Sequence, residues 1–490
     1  MSLVRGGAHP SANSNANPSA ILSAAVAAAL LTACASEPAY QKPQLAELPA
    51  AWQGDTQFRA AAPDDAALKG TWWELYQDAQ LNTLAQQALA HNQNLLQAAS
   101  RLEQARAQVT VVSSALLPAV GLQAGAARNQ SSADRPLAAY GTPTQSVTQN
   151  NFQLGLAVNY EADLFGRVRS STHAAQASAQ QAAADFENAR LVLLAELASD
   201  YFSLRERDAE IDVVLRSIEL QQKAFEFISA RHELGVASGL DLAQQEALLE
   251  SSRTQLELLQ NQRLQLLHAL ATLTGTPAPS FTLAPALVSL APPPVPTGLP
   301  SDLLQRRPDV ASAERAVAAA NAQIGVARAA YFPTVTLQAN GGWDSNAMGR
   351  LISAPSLLWS LGAAATQTLF DAGKTTATVK IAEAGYTGAV ANYRQSVLVA
   401  MQEVEDGMVG ITALGRAGSQ ADAALRSAQR ALELANDRYA GGVATYLDVI
   451  TAQQTLLTNE RSAVSIHGQQ MNTSVFLVKA LGGGWQGAAN

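Results

Sequence analysis

Cysteine is almost missing from this chain. Cys34 is the only one in 490 residues, which excludes an internal disulfide and any cysteine-based metal cluster. Histidine is sparse as well, and its six copies offer no pair at ligand spacing. Charged residues make up only 15% of the chain and the net charge is −8, with no basic stripe, so no nucleic-acid partner is expected. The apolar run Ile21–Leu31 falls well short of the roughly 20 residues that a membrane-spanning helix needs. Also missing are G-x-x-x-x-G-K, G-x-G-x-x-G after a strand, H-E-x-x-H and G-x-S-x-G. No catalytic group, cofactor or metal site is expected, and an enzyme is the weakest of the functional readings.

What the chain does have is a segment that occurs twice. Arg231–Asp241 reads R-H-E-L-G-V-A-S-G-L-D and Arg438–Asp448 reads R-Y-A-G-G-V-A-T-Y-L-D, with Gly442 falling 207 positions after Gly235 (442 − 235). That period is far too long for a solenoid and points to one large unit duplicated in tandem. Gly235 and Gly442 are each expected to end a helix in the left-handed conformation. Ser238-x-x-Asp241 and Thr445-x-x-Asp448 fit a capping box at the start of the next helix.

The segment ending Leu31-Thr32-Ala33-Cys34 has the short apolar core of a signal peptide. It resembles the bacterial lipobox, in which the cysteine is lipidated and becomes the mature N-terminus; an ordinary cleavage site beside an incidental cysteine is the plainer reading. Ala35 is not the Asp of an inner-membrane retention signal, which favours the outer membrane.

Within the first unit, Thr71–Asp78 (T-W-W-E-L-Y-Q-D) opens a stretch free of Pro and Gly that is read as helix through Ala115. Val120, Leu122, Ala124 and Ala126 then alternate with small or polar residues, and after a polar loop the same alternation returns. Phe152, Leu154, Leu156, Val158 and Tyr160 take one face; Gln153, Gly155, Ala157, Asn159 and Glu161 take the other. Such strands suit a barrel with lipid outside and water inside, or a half-buried hairpin of a soluble domain. From Arg167 a helix without Pro or Gly runs to Gly235, with Leu197, Leu204, Ile211, Ile218 and Phe225 at seven-residue spacing, a coiled-coil pattern. At 1.5 Å per residue its length is roughly 100 Å.

Residues 276–300 are Pro-rich and break any helix. Gly298–Asp309 (G-L-P-S-D-L-L-Q-R-R-P-D) and Ala330-Tyr331-Phe332-Pro333 follow. Val335, Leu337 and Ala339 alternate with Thr336, Gln338 and Asn340, and Leu357, Trp359, Leu361 and Ala363 form a fourth strand. Trp343 and Trp359 fit either an interfacial aromatic girdle or plain core packing. Gly385, Gly388 and Gly407 are expected to permit bending or close approach in the next helix.

The R-R-P-D segment, A-x-x-x-Y-F-P-T, T-W-W-E-L-Y-Q-D, the D-L-F-G-R turn and both G-V-A-x-x-L-D segments resemble those of the TolC-like outer membrane factor lipoproteins of tripartite efflux systems, the OprM, CusC and NodT branch. The resemblance covers Thr71 to Leu481. It implies an α+β membrane protein: a homotrimer with a twelve-stranded β-barrel, four strands per protomer, continuing into a long α-helical coiled-coil periplasmic tunnel. The expected organisation is a signal peptide (1–33), a lipid-anchored N-terminal segment (34–70), a first repeat (71–275), a linker (276–300), a second repeat (301–482) and a short tail.

By that resemblance the protein is a passive outer-membrane duct exporting small toxic compounds. Its partners would be a periplasmic adaptor (membrane fusion) protein, an inner-membrane RND-type pump and outer-membrane lipid through acylated Cys34. Gln153, Asn159, Glu161, Gln338 and Asn340 are the lumen candidates. Gly235, Asp241, Gly442, Tyr446 and Asp448 are the candidates for the periplasmic tip and gate, the two carboxylates doubling as helix caps. Ala444 stands where some relatives carry an acidic residue. A duct for type I protein secretion and a lipid-anchored, non-channel coiled-coil scaffold are the alternatives.

Overall fold

The computed structural model describes residues 37–44, 70–133, 146–295 and 307–483, which fall into two compact units. Cys34 and the leader before it, residues 298–306 of the arginine-proline segment and most of the polar loop after the first strand lie outside the described residues. One unit comprises residues 106–178 and 317–388 with the segment before Pro43. The other comprises residues 43–105, 179–316 and 389–490.

The first unit is organised by a four-stranded antiparallel sheet of β1 (Ala119–Ser131), β2 (Val147–Ala162), β3 (Thr334–Ser345) and β4 (Leu357–Thr366), in that order. Its central pair, β2 with β3, joins strands that stand 187 residues apart in sequence (334 − 147). Register partners share a face, so the sheet sorts its side chains across all four strands. Leu122, Leu156, Gly341 and Trp359 form one row; Val120, Val158, Ala339 and Leu361 form the next, and both are apolar. On the opposite face Asn159 pairs with Gln338, Ala157 with Asn340, and Asn340 with Ser360. Gly155 and Gly342 oppose each other where the strands come closest: a Cβ on Gly342 would lie 2.4 Å from the Gly155 Cα.

Both strand-to-helix turns of this unit are fixed by a carboxylate. Asp163 accepts from the N–H groups of Val168 (2.9 Å) and Arg169 (2.8 Å), opening α3 (Arg167–Glu233). Asp371 accepts from the N–H (2.7 Å) and hydroxyl (2.6 Å) of Thr375, opening α6 (Lys374–Ala440). Such acceptors satisfy amides that a helix start leaves without partners. Phe165 stacks on Phe332 at 4.8 Å beside the first turn.

The helical hairpins carry the duplication. α3 and α6 are each 67 residues, and α4 (Gly239–Leu273) and α7 (Tyr446–Ala480) each 35. Each second-hairpin helix starts 207 positions after its counterpart (374 − 167 and 446 − 239). On α3, Leu197 and Leu204 are fully buried, but Ile211, Ile218 and Phe225 are only half-buried. Val214, Gln221 and Ile228, three residues further along each turn, take over the buried seam. The single seven-residue stripe seen in the sequence is thus one half of a paired seam. Gly407 meets Leu477 closely, a Cβ there lying 3.1 Å from its side chain, while α6 runs uninterrupted through all three glycines.

The expected helix from Thr71 to Ala115 is broken. A 3₁₀ turn (Trp72–Tyr76), α1 (Ala79–His91) and α2 (Gln93–Ser113) replace it. The break is at Asn92, whose side chain accepts from Leu95 N (2.9 Å) and donates to the Leu273 carbonyl (2.9 Å). An asparagine that can cap a new helix competes with continuing the old one, without needing Pro or Gly. The T-W-W-E-L-Y-Q-D segment is structural. Trp72 and Trp73 are buried, the Tyr76 hydroxyl meets Ser474 Oγ at 2.9 Å, and Tyr201 donates to Asp78 at 2.7 Å.

The described end of the arginine-proline segment explains its chemistry. Arg307 immediately precedes α5 (Pro308–Ala329), with proline at the first helical position, where a missing N–H costs nothing. Its guanidinium forks onto Asp309 (3.0 and 2.6 Å), pairs with Glu403 on α6 and donates to the Ala480 carbonyl at the end of α7 (3.0 Å). Two more buried charge clusters sit on α3. Asp208 accepts from Arg205 (2.7 Å), Arg263 and the Ala286 N–H (3.1 Å), strapping the segment after α4 onto the helices. Glu210 accepts from Arg207 and from Arg461 on α7 (2.8 Å).

Arg307→Ala is expected to destabilise the chain by about 3–5 kcal/mol, because breaking a buried ion pair strands the remaining charges. Arg307→Lys recovers little, since a point charge cannot span the three acceptors. Urea unfolding followed by tryptophan fluorescence measures both, and removal of the Lys223–Glu219 pair, which is exposed and screened by solvent, is the control.

Candidate functional site

Two regions carry the residues singled out by sequence, each in its own unit. The first is the polar face of the sheet. Gln153, Asn159, Gln338 and Asn340 are exposed there, and Glu161 is half-buried. Asn340 donates to Ser360 Oγ (3.3 Å) and Gln153 to Asp344 (3.3 Å). Glu161 is not a free carboxylate: Arg167 grips both its oxygens, at 2.8 and 2.6 Å. The opposite face is apolar from Phe152 to Tyr160 on β2, a rise of roughly 27 Å at 3.4 Å per residue. Tilted, that matches the apolar band of an outer-membrane barrel, about 25 Å tall. Trp359 stands on this face 73% exposed, which rules out core packing within the chain. Among the described residues no helix is long and apolar enough to cross a membrane.

The second region is the end of the hairpins, where the repeated segments stand. Gly235 (φ 71°) and Gly442 (φ 70°) take the left-handed conformation. Val236 N–H reaches back to the Arg231 carbonyl (2.8 Å) and Val443 N–H to that of Arg438 (2.9 Å), closing each helix in the same way. Ser238 and Asp241 exchange hydrogen bonds at 3.1 and 3.2 Å. At the second tip the Thr445 N–H and hydroxyl both donate to Asp448, each at 2.8 Å. These contacts hold the Asp448 carboxyl below its ordinary 3.8.

Tyr446 and four further residues, Ile228, Leu248, Val449 and Ile450, form a buried apolar cluster behind the tips. The Tyr446 hydroxyl donates to Gln245 Oε1 (2.8 Å), and Gln245 passes the chain on through Nε2 to the Gln221 carbonyl (2.8 Å). Burial first, then Tyr439 and Asp241, push the phenol up to about 12, so it remains a donor. Arg231 lies over the rings of Phe227 (5.6 Å) and Tyr439 (5.7 Å). Gln245, Gln221, Tyr439 and Arg231 were not singled out in the sequence. Only the arginine had a signal, as the first residue of both repeated segments. Leu234, Val236, Leu240, Val443 and Leu447 are exposed around the turns.

Comparison with known proteins agrees with this architecture. Residues 84–276 and 299–483 match the family described as outer membrane efflux protein. The pyoverdine export outer membrane protein OpmQ of Pseudomonas aeruginosa is 33% identical over 93% of this chain and 95% of its own length. The toluene efflux pump outer membrane protein TtgF of Pseudomonas putida is 34% identical over the same shares. The crystal structure of the Campylobacter jejuni CmeC outer membrane channel superposes with a TM-score of 0.86 at 25% identity, covering 93% of this chain and 96% of that one. This chain belongs to the outer membrane efflux protein family, and its site of action is the outer membrane.

Three outcomes follow for the helical unit. Asp200 on α3 is raised to about 6, by burial first and then by Glu196. A carboxyl raised on folding favours the fold below its unfolded value of 3.8, and that contribution is lost as pH rises through about 6. Asp200→Asn is therefore expected to raise the Tm at neutral pH and to leave it nearly unchanged near the unfolded value. Asp448 has the opposite sign. Its contribution is present above 3.8 and lost as pH falls through the lower folded value, so amide exchange at the start of α7 should accelerate in acid before that of the helix centre. Gly442→Ala should cost about 1–2 kcal/mol through its left-handed backbone.

Proposed function

We propose that three copies of this chain close their sheets edge to edge, β4 of one against β1 of the next, into a twelve-stranded outer-membrane barrel. The helical hairpins would continue the pore into the periplasm. One observation carries the reading. The sheet is apolar on one face and polar on the other, and among the described residues its two outer strands have no partner beyond them. Hydrocarbon tolerates no unpaired backbone edge, and four strands are too few to close on themselves. An even number of antiparallel strands per copy makes the new seams antiparallel as well. Gln153, Asn159, Gln338 and Asn340 then line a wet lumen, with the Glu161–Arg167 pair at the helix end of the strands.

The protein is on this reading the passive outer-membrane component of a tripartite efflux pump, anchored through acylated Cys34. The exposed apolar residues around the two turns suit a periplasmic adaptor, and an inner-membrane pump supplies the energy. The cargo does not follow from likeness, because the relatives named for pyoverdine export and toluene efflux resemble this chain to nearly the same degree. Their efflux names favour a pump-associated duct over one for protein secretion.

Purified protein in planar bilayers should open discrete conducting steps. If the tips are the gate, Tyr446→Phe frees Gln245 from its cross-hairpin bond and raises the open fraction, whereas Lys223→Ala on the exposed face of α3 leaves it unchanged. Folded protein that never conducts, with or without the tip substitution, contradicts the duct.

A further inference from the structure

The four strands contain only three charged residues: Arg128, Glu161 and Asp344. Each has a different fate. Arg128 shares the parity of Val120 to Ala126 and so belongs to the other face, beyond the apolar band. Glu161 is neutralised by the two-pronged grip of Arg167. Asp344 lies on the polar face opposite Gln153, exposed, and among the described residues its one side-chain hydrogen bond comes from the neutral Gln153 amide at 3.3 Å. No ion pair reaches it among the described residues, and nearby Arg350 bonds the Asn346 amide instead (3.1 Å). Gln153 steadies the carboxylate without cancelling its charge. It also stands at the end of β3 away from the helices, since β3 leaves α5 at Thr334.

We propose that Asp344 is a charge-selecting residue of the pore, one that favours cationic over anionic solutes at the outer mouth. The inference rests on the duct reading, for only closure of the barrel repeats the carboxylate as a ring. Twelve strands spaced about 4.8 Å apart and tilted about 40° give a backbone radius of about 12 Å. Rings of carboxylates select cations when the field reaches the axis. That reach is set by salt: the Debye length is about 30 Å at 0.01 M, well beyond the radius, and about 3 Å at 1 M, well inside it. Three charges at about 12 Å enrich a monovalent cation at the axis about threefold in dilute salt and hardly at all in concentrated salt. The effect grows with the charge of the solute, so polycationic cargo feels it most. Apart from Val147 and Leu358, the rest of the polar face on the four strands is amide, hydroxyl or small, and its one other charge is Glu161, paired by Arg167.

Reversal potentials across a KCl gradient in planar bilayers test this, on wild type, Asp344→Asn, Asp344→Glu and Asp344→Lys. At about 0.01 M the potassium-to-chloride permeability ratio should fall at least about threefold in the Asn variant, survive in the Glu variant and fall further in the Lys variant. At about 1 M the four proteins should coincide. Conducting pores whose ratio in dilute salt is the same in all four overturn the role of Asp344 and leave the duct standing. Wild-type protein that forms no pore overturns both.

Discussion

Everything in the first unit depends on the backbone groups along the outer edges of β1 and β4. A strand edge is a row of donors and acceptors, and water satisfies it where hydrocarbon cannot. The sheet adds a second demand, because one face carries a broad aliphatic and aromatic band that stands exposed, with Leu122 at 72%, Leu361 at 75% and Trp359 at 73%. A soluble protein would bury such a face under helices. Both demands are met together when lipid covers the face and another sheet covers the edge. The edge-to-edge assembly proposed above would meet both demands on physical grounds, and family membership fits it.

The helical unit answers a different problem, that of holding long helices in fixed register. Apolar seams alone allow helices to slide, whereas buried ion pairs with several acceptors do not tolerate displacement. Arg307, Asp208 and Glu210 each join elements distant in sequence, and a buried charge stranded by slippage is costly. Gly468 works with them, since a Cβ at that position would meet the Glu206 carboxylate. At the tips the solution is local: a left-handed glycine closes one helix and an aspartate opens the next. Asp241 and Asp448 thus have structural work whether or not they also guard a pore. Tyr446 differs, because its hydroxyl spans the two hairpins.

Local chemistry made the duplicated tips, the strand alternation and the strand-to-helix turns readable in the sequence. Each is decided by residues within a few positions of one another, as with Gly442, Thr445 and Asp448. The helix break at Asn92 was missed because its stabilising partner, the Leu273 carbonyl, is 181 residues away. Arg307 was visible as a motif but its reason was not, since Glu403 and Ala480 are far along the chain. The same holds for Gln245, an unremarkable surface-type residue until Tyr446 is brought to it. The five polar candidates on the strands do share one face, yet pairing of Glu161 by Arg167 depends on the turn between them, and the free charge of Asp344 shows only when register is known.

The central claim is that this sheet exists in the outer membrane only as part of a closed assembly. The most direct measurement is the intact mass of the complex released from native outer membranes in mild detergent. The account predicts a single species of three chains that dissociates only on denaturation. A folded, detergent-soluble single chain as the stable membrane form, with β1 and β4 amides exchanging as slowly as those of β2 and β3, would contradict it.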